Sequence, residues 1–574
     1  MGRQGLALRG DNKEGNFIQI LKLLAEDDKS FSEWIDKGSY ISPDIQNEIL
    51  EMLAHTILRE VTAQIRKSNF FAILLDETRD LSNKEQMVFG LRWIEWLEQG
   101  YEIHEDFIGL YECKNTTGEH LTFAAEDILL MNNLKLVNCR GQNYDGAGSM
   151  QGKNSGVKSR ILQKENRALS VWCFAHNTNL AACESLKKCK LMKNALSTSQ
   201  EIAKNINWSP KREALLNTIK EEDNENSLNL KAFCETRWTV KKESLNRIVL
   251  NYSSIMTLFE MSAPEETVPD MKARLYGFLY QMGKFEFFFG LSLAIETLAV
   301  SDLLATQLQE RNLSAYEGKE LAKKSISTLN VMKQEFSKFW TETTEKAKKL
   351  GVEKPSLPRP SNKPVRYRNK SDSESESAPT TVEEYYEKIY ITAFENVSKS
   401  LEDRFNQKGL EYYDTLQKLL ILAAESSDYD AKLKQILSFY NNERSHDFDE
   451  DSLKIQLKIF SANFPKREKI VFDDIIEYFK KMEPSYRGML SEVIKLFEIV
   501  LILPATNATS ERSFSKLKLI KTHTRTSMLQ ERLNHYMVLG IYKKHLDDID
   551  LKKLAKEFVL RNPRRENIFE IPKM

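Results

Sequence analysis

The sequence predicts a mixed α/β core that is interrupted by a long helical region. Three short strand-like runs, rich in branched and aromatic residues, follow one another between residues 70 and 113, and a strand–helix–strand–helix alternation comes next. Residues 205–350 and 382–500 instead carry apolar side chains at helical spacing. With 574 residues, the chain is long enough for two to four packed units.

Each element has a local signal. Asn16 is a helix-capping residue type ahead of an apolar stripe, and Ser42-Pro43 is a typical helix start before apolar residues at every fourth position up to Ile65. A further helix is expected at 119–131 and another from Asn177. The strands are predicted at 70–76, 87–96, 104–113, 134–145 and 168–175.

Composition narrows the class of protein. Lys plus Arg and Asp plus Glu number 83 each, so nucleic-acid binding would have to come from local basic patches rather than from net charge. Six scattered cysteines predict no disulfide framework and a reducing compartment. Because no segment reaches about 18 uninterrupted apolar residues, we predict no membrane span.

Three acidic residues stand at places where a metal site could form. Asp76 ends the run FAILLD, Asp145 follows CRGQNY, and Glu511 lies on a late predicted helix in TSERSF. Three converging carboxylates could hold two Mg²⁺ (or Mn²⁺) ions for phosphodiester chemistry. Taken singly, each acid is better explained as a turn residue at a strand end or as a neighbour of a helix cap.

Five segments, taken in order, resemble the hAT superfamily of DNA transposases, in the branch of zinc finger MYM-type protein 1 and the THAP-finger repressor-type proteins. The resemblance implies a ribonuclease-H-like α/β core with a large all-helical insertion. The segments are LLDETRDLSNKEQM (74–87), CRGQNYDGAGSMQGKNSGV (139–157), CFAHNTNLA (173–181), CETRWTVKKESL (234–245) and LPATNATSERSFSKLKLIKTHTRTSM (503–528).

The resemblance also implies the division of the chain. It comprises an N-terminal helical segment (1–66), the first part of the core (67–205), the insertion (206–490), the rest of the core with the hAT dimerisation region (491–545) and a tail (546–574). Inside the insertion, residues 352–381 are rich in Pro, Ser and charge, and we predict a disordered loop there.

Roles for particular residues follow from the same resemblance. Asp76, Asp145 and Glu511 would be the catalytic, metal-binding acids. Cys173 and His176 would form a structural CxxH element beside the site; zinc binding would need a second ligand pair, which the sequence lacks. The residues expected to contact DNA are Trp238, by stacking on a flipped base, and Arg237, Arg512, Lys516 and Arg525, by holding phosphates.

The helix predicted at 528–542 has an apolar stripe that includes Leu529, Leu533, Tyr536 and Met537. Spacing alone indicates a helix that faces the core. The resemblance places the stripe in the hAT dimerisation region, which implies a homodimer or a higher oligomer with part of the stripe at the interface.

Two functions of different classes follow. The first is a nuclear hAT-type transposase that cleaves and transfers DNA strands at its transposon ends and target, without a small-molecule substrate or a membrane. The alternative is a domesticated, non-catalytic protein that binds DNA and dimerises to regulate transcription. The retained acids favour the first; the missing N-terminal zinc-binding module, which the family usually carries, favours the second. A nuclease acting on RNA–DNA hybrids is a third, weaker hypothesis.

Overall fold

The computed structural model describes residues 1–10, 15–38, 40–222, 229–230, 241–310, 313–358, 381–407, 410–442 and 445–569. The chain divides into two compact units. The first contains Met1–Cys173, Arg311–Tyr316 and Lys408–Met574; the second contains Phe174–Glu310 and Glu317–Gln407. The second unit thus starts at Phe174 and ends at Gln407, whereas the helical insertion was predicted at 206–490.

The first unit begins with three helices and a five-stranded sheet. Ser42 caps the long third helix by accepting a hydrogen bond from the Ile45 amide, as the Ser-Pro pair predicts. The elements are α1 (Asn16–Leu24), α2 (Lys29–Asp36), α3 (Pro43–Ile65), β1 (Phe71–Arg79), β2 (Glu85–Trp96), β3 (Tyr101–Glu112), α4 (Gly118–Met131), β4 (Cys139–Tyr144), α5 (Gly148–Gln151), α6 (Val157–Lys164) and β5 (Leu169–Trp172).

The sheet is mixed, with the strand order β3-β2-β1-β4-β5. β1, β2 and β3 are antiparallel neighbours, while β4 runs parallel to β1 and β5 runs parallel to β4. All five strands were predicted, in this chain order. The fourth is shorter than predicted because Asn133 adopts a left-handed conformation (φ 53°) and Leu136–Asn138 form a short 3-10 turn, so that the strand starts only at Cys139.

The second unit is helical throughout the residues described. One of its helices, α13, is long and apolar enough to cross a membrane, but its side chains are mostly buried inside the protein, as in a core helix. The helices from Phe174 onward are α7 (Phe174–Lys188), α8 (Lys190–Asn207), α9 (Pro210–Glu222), α10 (Lys241–Leu250), α11 (Tyr252–Glu265), α12 (Pro269–Met282), α13 (Phe285–Leu308), α14 (Ala315–Met332), α15 (Phe336–Lys349) and α16 (Val382–Phe405). Most of the predicted loop 352–381 lies outside the described residues.

The chain then returns to the first unit. A short hairpin and eleven helices complete that unit, and helices of the last third pack on the sheet and on α3. These elements are α17 (Glu411–Ala424), α18 (Asp430–Tyr440), β6 (Asn441–Asn442), β7 (Ser445–His446), α19 (Glu450–Asn463), α20 (Phe472–Lys480), α21 (Pro484–Arg487), α22 (Ser491–Ile502), α23 (Ala508–Ile520), α24 (Gln530–Ile541), α25 (Lys543–Asp548), α26 (Leu551–Leu560) and α27 (Pro563–Glu566).

Candidate active site

The parallel pairing of β1 and β4 brings two of the predicted acids to the same end of these two inner strands. Leu74 pairs with Asn143 at the end of the β1–β4 ladder, and Asp76 and Asp145 each follow two residues later. Side chains alternate between the two faces of a strand, so a residue two positions after a paired residue is on the same face. Asp76 and Asp145 therefore follow the last paired residues by the same distance along the chain. Asp76 lies inside β1 rather than at its end, since pairing with β2 continues to Arg79.

Glu511 reaches the same region through helix α23, in whose first turn it lies. The loop before this helix is tied to both central strands. The side-chain amide of Asn507 donates to the Leu75 carbonyl at 2.8 Å, one residue before Asp76. The amide of Asn143 donates to the Pro504 carbonyl at 3.2 Å. Two buried asparagines therefore hold the start of α23 against the strands that carry the aspartates.

A buried ion pair between the antiparallel strands β2 and β3 strengthens this anchorage. Arg92 on β2 and Glu105 on β3 lie 2.7 Å apart, with the Arg92 side chain fully buried and Glu105 6% exposed. Arg92 also donates to the Leu501 carbonyl at the end of α22. The Thr509 hydroxyl on α23 donates to Glu105, and Arg512 lies 3.8 Å from the same carboxylate. The first turn of α23 is thereby fixed to β2 and β3.

The acids influence one another electrostatically. Burial, then the nearby charges of Asp145 and Glu511, raise the pKa of Asp76 well above its ordinary value. Burial also raises the pKa of Glu511 to about 8, against a smaller opposing effect of Arg512. Carboxylates that share a partly buried region behave in this way because ionising one disfavours ionising the next.

The donor set suits a hard dication, since Mg²⁺ and Mn²⁺ prefer carboxylate oxygens. Within the residues that the structure describes, however, no group of three His, Cys, Asp or Glu side chains is close enough to hold a metal ion. The structure therefore brings Asp76, Asp145 and Glu511 into one region without assembling them as a finished ligand set. Their catalytic and metal-binding roles stay predictions.

Glu77 is a fourth acid beside this group, and it was not among the predicted site residues. The Ser149 hydroxyl donates to one of its carboxylate oxygens at 3.3 Å, and the other oxygen, Oε1, is buried without a hydrogen-bond partner. Burial raises the pKa of Glu77 to about 7; the Ser149 hydrogen bond opposes this rise and the charge of Asp145 adds to it. The signal was present in the sequence, because Glu77 follows Asp76 directly.

A second feature that was not predicted is an ion pair between the first and the last of the five family-like segments, 74–87 and 503–528. Lys521, just after α23, donates to Asp80, just after β1, at 2.6 Å, and both side chains are almost completely buried. Burial opposes ionisation of Asp80, but hydrogen bonds from Lys521 and Ser82 outweigh it and lower the pKa to about 2. The end of α23 is thus locked to the β1–β2 turn.

The CxxH element is split between the two units. Cys173, at the end of the first unit, is buried, and its amide donates to the Tyr144 carbonyl one residue before Asp145. His176 lies in the first turn of α7, in the second unit. Neither belongs to a three-ligand metal group among the described residues.

Of the predicted DNA-contacting residues, Arg237 and Trp238 lie outside the described part of the chain. Arg525 donates to the Gly5 carbonyl at 2.5 Å and lies over the Tyr536 ring, which favours a structural role. Arg512 is half-buried beside Glu105. The Lys516 side chain crosses α24 so closely that a Cβ on Gly540 would lie 2.3 Å from its Cε atom.

Helix α24 covers the free edge of the sheet. Asn534 accepts a hydrogen bond from the Leu110 amide of β3 at 2.9 Å, and Gln530 donates to the Leu110 carbonyl at 2.8 Å. Tyr542 donates to the Phe107 carbonyl at 2.8 Å. These bonds satisfy backbone groups that an edge strand would otherwise expose.

The apolar stripe on α24 is used inside the unit. Leu533, Tyr536 and Met537 are completely buried, and the helix packs against α3, β3 and α23. The expectation from spacing, a helix that faces the core, is therefore confirmed for these residues. They are not available as a surface for a second molecule, and only Leu529, at the start of the stripe, is exposed.

Comparison with known proteins identifies both ends of this unit. Residues 1–156 match the family described as the ZMYM1/FAM200 RNase-like domain, and residues 460–543 match the hAT family C-terminal dimerisation region. The chain combines a ZMYM1/FAM200-type RNase-like region with a hAT dimerisation region. The resemblance found in the sequence is thereby confirmed.

Two similar proteins are the human and mouse 52 kDa repressors of the inhibitor of the protein kinase. Each is 20% identical to this chain, over 526 and 527 residues respectively. Each match covers 89% of this chain and 67% of the repressor. The similarity thus extends far beyond the two family regions and includes the helical second unit.

Proposed function

We propose that this hAT-transposase-derived protein acts as a self-associating, DNA-binding regulator of transcription in the nucleus. The observation that carries this proposal is the match to the hAT dimerisation region. Its helix α24 and the residue before α23 form hydrogen bonds to strands of the RNase-like sheet. The similar proteins named as repressors support a regulatory role. DNA would bind through local basic surfaces, because the whole chain has no net charge.

We also propose that the fold is a ribonuclease-H-like core with an all-helical insertion. The order β3-β2-β1-β4-β5, with the late helix α23 across it, supports a ribonuclease-H-like core. The chain leaves this core after Cys173 and returns at Lys408, which supports an all-helical insertion between the fifth strand and the last helices.

A specific observation favours a second candidate, metal-dependent DNA strand cleavage and transfer. Asp145 and Glu511 both raise the pKa of Asp76, so the three acids lie near one another. In this function they would hold Mg²⁺ or Mn²⁺, which would activate the attacking oxygen and stabilise the leaving one. Asn507 and Asn143 would position the acids by holding α23 on the strands.

One set of measurements separates the two candidates. Purified protein is sized by light scattering, titrated with duplex DNA at several salt concentrations and incubated with hairpin DNA and Mg²⁺ or Mn²⁺. The regulator dimerises and binds DNA with an affinity that falls steeply with salt, but does not nick the hairpin. Nicking by the wild type that is lost in Asp145→Asn supports the transposase; equal nicking by both points to a contaminating nuclease. A monomer that binds no DNA contradicts the first proposal.

A further inference from the structure

A hollow of about 350 Å³ lies between helices α8 and α12 of the second unit, and we call it the α8–α12 hollow. The residues that line it include Glu201 from α8 and Arg274, Gly277, Phe278 and Tyr280 from α12. The two helices are joined by a hydrogen bond from the Asn205 side-chain amide to the Met271 sulfur, at 3.1 Å. A volume of this size is sufficient for a small ligand.

Gly277, in the interior of α12, keeps the wall of the hollow open. A Cβ built on this residue would have no atom within 4 Å outside its own helix, so no close contact requires glycine at this position. Glycine in an exposed helix interior is less stable than alanine because it loses more backbone entropy on folding. The residue therefore weakens the helix without serving its packing, and what it provides is space in the hollow.

Two charged side chains of opposite sign face the hollow without pairing. Glu201 and Arg274 are both exposed, and neither forms a hydrogen bond or an ion pair within the described part of the chain. A guanidinium binds phosphate oxygens well because its donors form a planar fork, whereas a carboxylate only accepts hydrogen bonds. The hollow thus offers one group for an anion and another for a hydrogen-bond donor.

An aromatic ring completes the set of groups. Tyr280 is 64% exposed, although it is large and partly apolar. The Lys284 ammonium lies 4.8 Å from the centre of this ring and is held by an ion pair with Glu353 at 2.8 Å. The half-buried Phe278 fixes α12 by packing on Phe259, with ring centroids 5.4 Å apart. An exposed aromatic ring near a cation is the combination on which nucleic-acid bases stack.

We propose that the α8–α12 hollow binds a nucleotide. The base stacks on Tyr280 in the space left by Gly277, the phosphate binds Arg274, and an exocyclic amino group of the base donates to Glu201. Cytosine, adenine and guanine carry such a group and thymine does not, so the hollow favours the first three bases. The same chemistry serves a free nucleotide and one nucleotide of a single strand, and the experiment separates these two sources.

This inference does not rest on the proposed self-association or on the proposed binding of duplex DNA. In a duplex each base is paired and stacked, so it cannot enter a hollow in a protein unless it is first flipped out. Binding of single strands or free nucleotides through this hollow is therefore an additional property, which can be measured separately.

The test uses three hollow variants of the full chain. Gly277→Leu fills the space, Tyr280→Ser removes the ring and Arg274→Gln removes the charge. Binding of dCMP and dTMP is measured by calorimetry. Binding of short labelled oligo-dC and oligo-dT strands, and of a duplex, is measured by fluorescence anisotropy.

Each variant has a matched control. Gly488→Leu changes another glycine whose Cβ would meet no atom within 4 Å. Tyr276→Ser removes a tyrosine that is 48% exposed on the same helix but is not among the residues that line the hollow. Lys349→Gln removes an exposed charge from α15.

The hollow variants should bind dCMP or oligo-dC at least about tenfold more weakly than the wild type, and the controls should differ from it by less than about twofold. Gly277→Leu should be at least as resistant to urea as the wild type, because leucine is the better helix former, so that lost binding does not reflect a lost fold. Glu201→Gln should reduce the preference for oligo-dC over oligo-dT, because an amide also donates to the thymine carbonyl.

The remaining outcomes are equally definite. Tight binding of the strand with weak binding of dCMP supports the inference with a single strand as the source, and equal binding of both supports it with a free nucleotide as the source. The inference is wrong if the wild type binds neither up to about 1 mM, or if Gly277→Leu leaves binding unchanged. Binding of duplex alone would contradict this inference while leaving the proposed regulator intact.

Discussion

At the scale of single residues, the first unit depends on charges that are buried and paired. The Asp80 and Lys521 side chains are 0% and 2% exposed and lie 2.6 Å apart. Removing one partner of such a pair leaves the other charge buried alone, which costs far more than the pair contributes.

We therefore expect Lys521→Met to destabilise the protein by about 3–5 kcal/mol. Lys518→Met, on the same helix but exposed, should change the free energy of unfolding by less than about 0.5 kcal/mol. Because the folded-state pKa of Asp80 is lowered to about 2, its stabilising effect is present above pH ~4 and is lost as the pH falls towards 2. Urea unfolding of the three proteins at pH 7 and pH 3 measures both effects; equal stabilities of the two variants at pH 7 would contradict the pairing.

Glu511 predicts the opposite dependence on pH. Its pKa in the folded protein is about 8, above the ordinary value of 4.5, so the folded state holds the proton more tightly than the unfolded chain. The contribution of this group is fully present below pH 4.5 and is lost as the pH rises towards 8. Glu511→Gln should therefore flatten the fall in stability between these pH values, measured without divalent metal. Glu531→Gln, at an exposed position on α24, should leave the wild-type profile unchanged.

At the scale of elements, the two asparagine bonds decide where α23 begins. Asn507 donates to the Leu75 carbonyl and accepts from the Ser510 hydroxyl at 2.6 Å, and both residues are buried. Asn507→Ala should cost about 1–3 kcal/mol because it leaves the Leu75 carbonyl without this donor. Ser510→Ala should cost less, and the double variant less than the sum, because the two side chains share one hydrogen bond. A double-mutant cycle in urea measures this; strictly additive effects would show that Asn507 does not act through this bond.

The elements also show what the sequence could and could not predict. Short runs rich in branched and aromatic residues predicted all five strands, and the parallel pairing of β1 and β4 gives Asp76 and Asp145 the same spacing from the last paired residues. Glu511 is 366 residues from Asp145, and only the family resemblance related the two, because no local pattern encodes so distant a return of the chain. The Asp80–Lys521 pair, 441 residues apart, was missed for the same reason. The local signal in LKLVN was misleading, since the turn at Asn133 delays β4 to Cys139.

At the scale of the whole molecule, the RNase-like sheet is completed by chain from the other end of the sequence. The family match ends at residue 156, but the Asp80, Arg92, Asn143 and Leu110 contacts described above all reach residues beyond 500. The first family region and the dimerisation region thus belong to one compact unit, and the second unit lies between them in the sequence.

This organisation predicts that residues 1–173 do not fold alone but do fold when residues 408–574 are supplied as a second chain. Without the second fragment, the strands lose α23, and the β3 edge loses α24, so that apolar surface and unpaired backbone are exposed. Co-expression with an affinity tag on one fragment measures this: the fragments should co-purify, and the complex should unfold cooperatively, while the first fragment alone is insoluble.

A buried and an exposed leucine of the second fragment provide a test of this complementation and its matched control. Leu533→Asp in the second fragment should abolish it, because an unpaired carboxylate in a fully buried position costs several kcal/mol. Leu551→Asp, at an exposed position in the same fragment, should leave complementation intact. A soluble, cooperatively unfolding fragment 1–173 on its own would show instead that the RNase-like region is an independent domain, to which the C-terminal helices are added without being required for its fold.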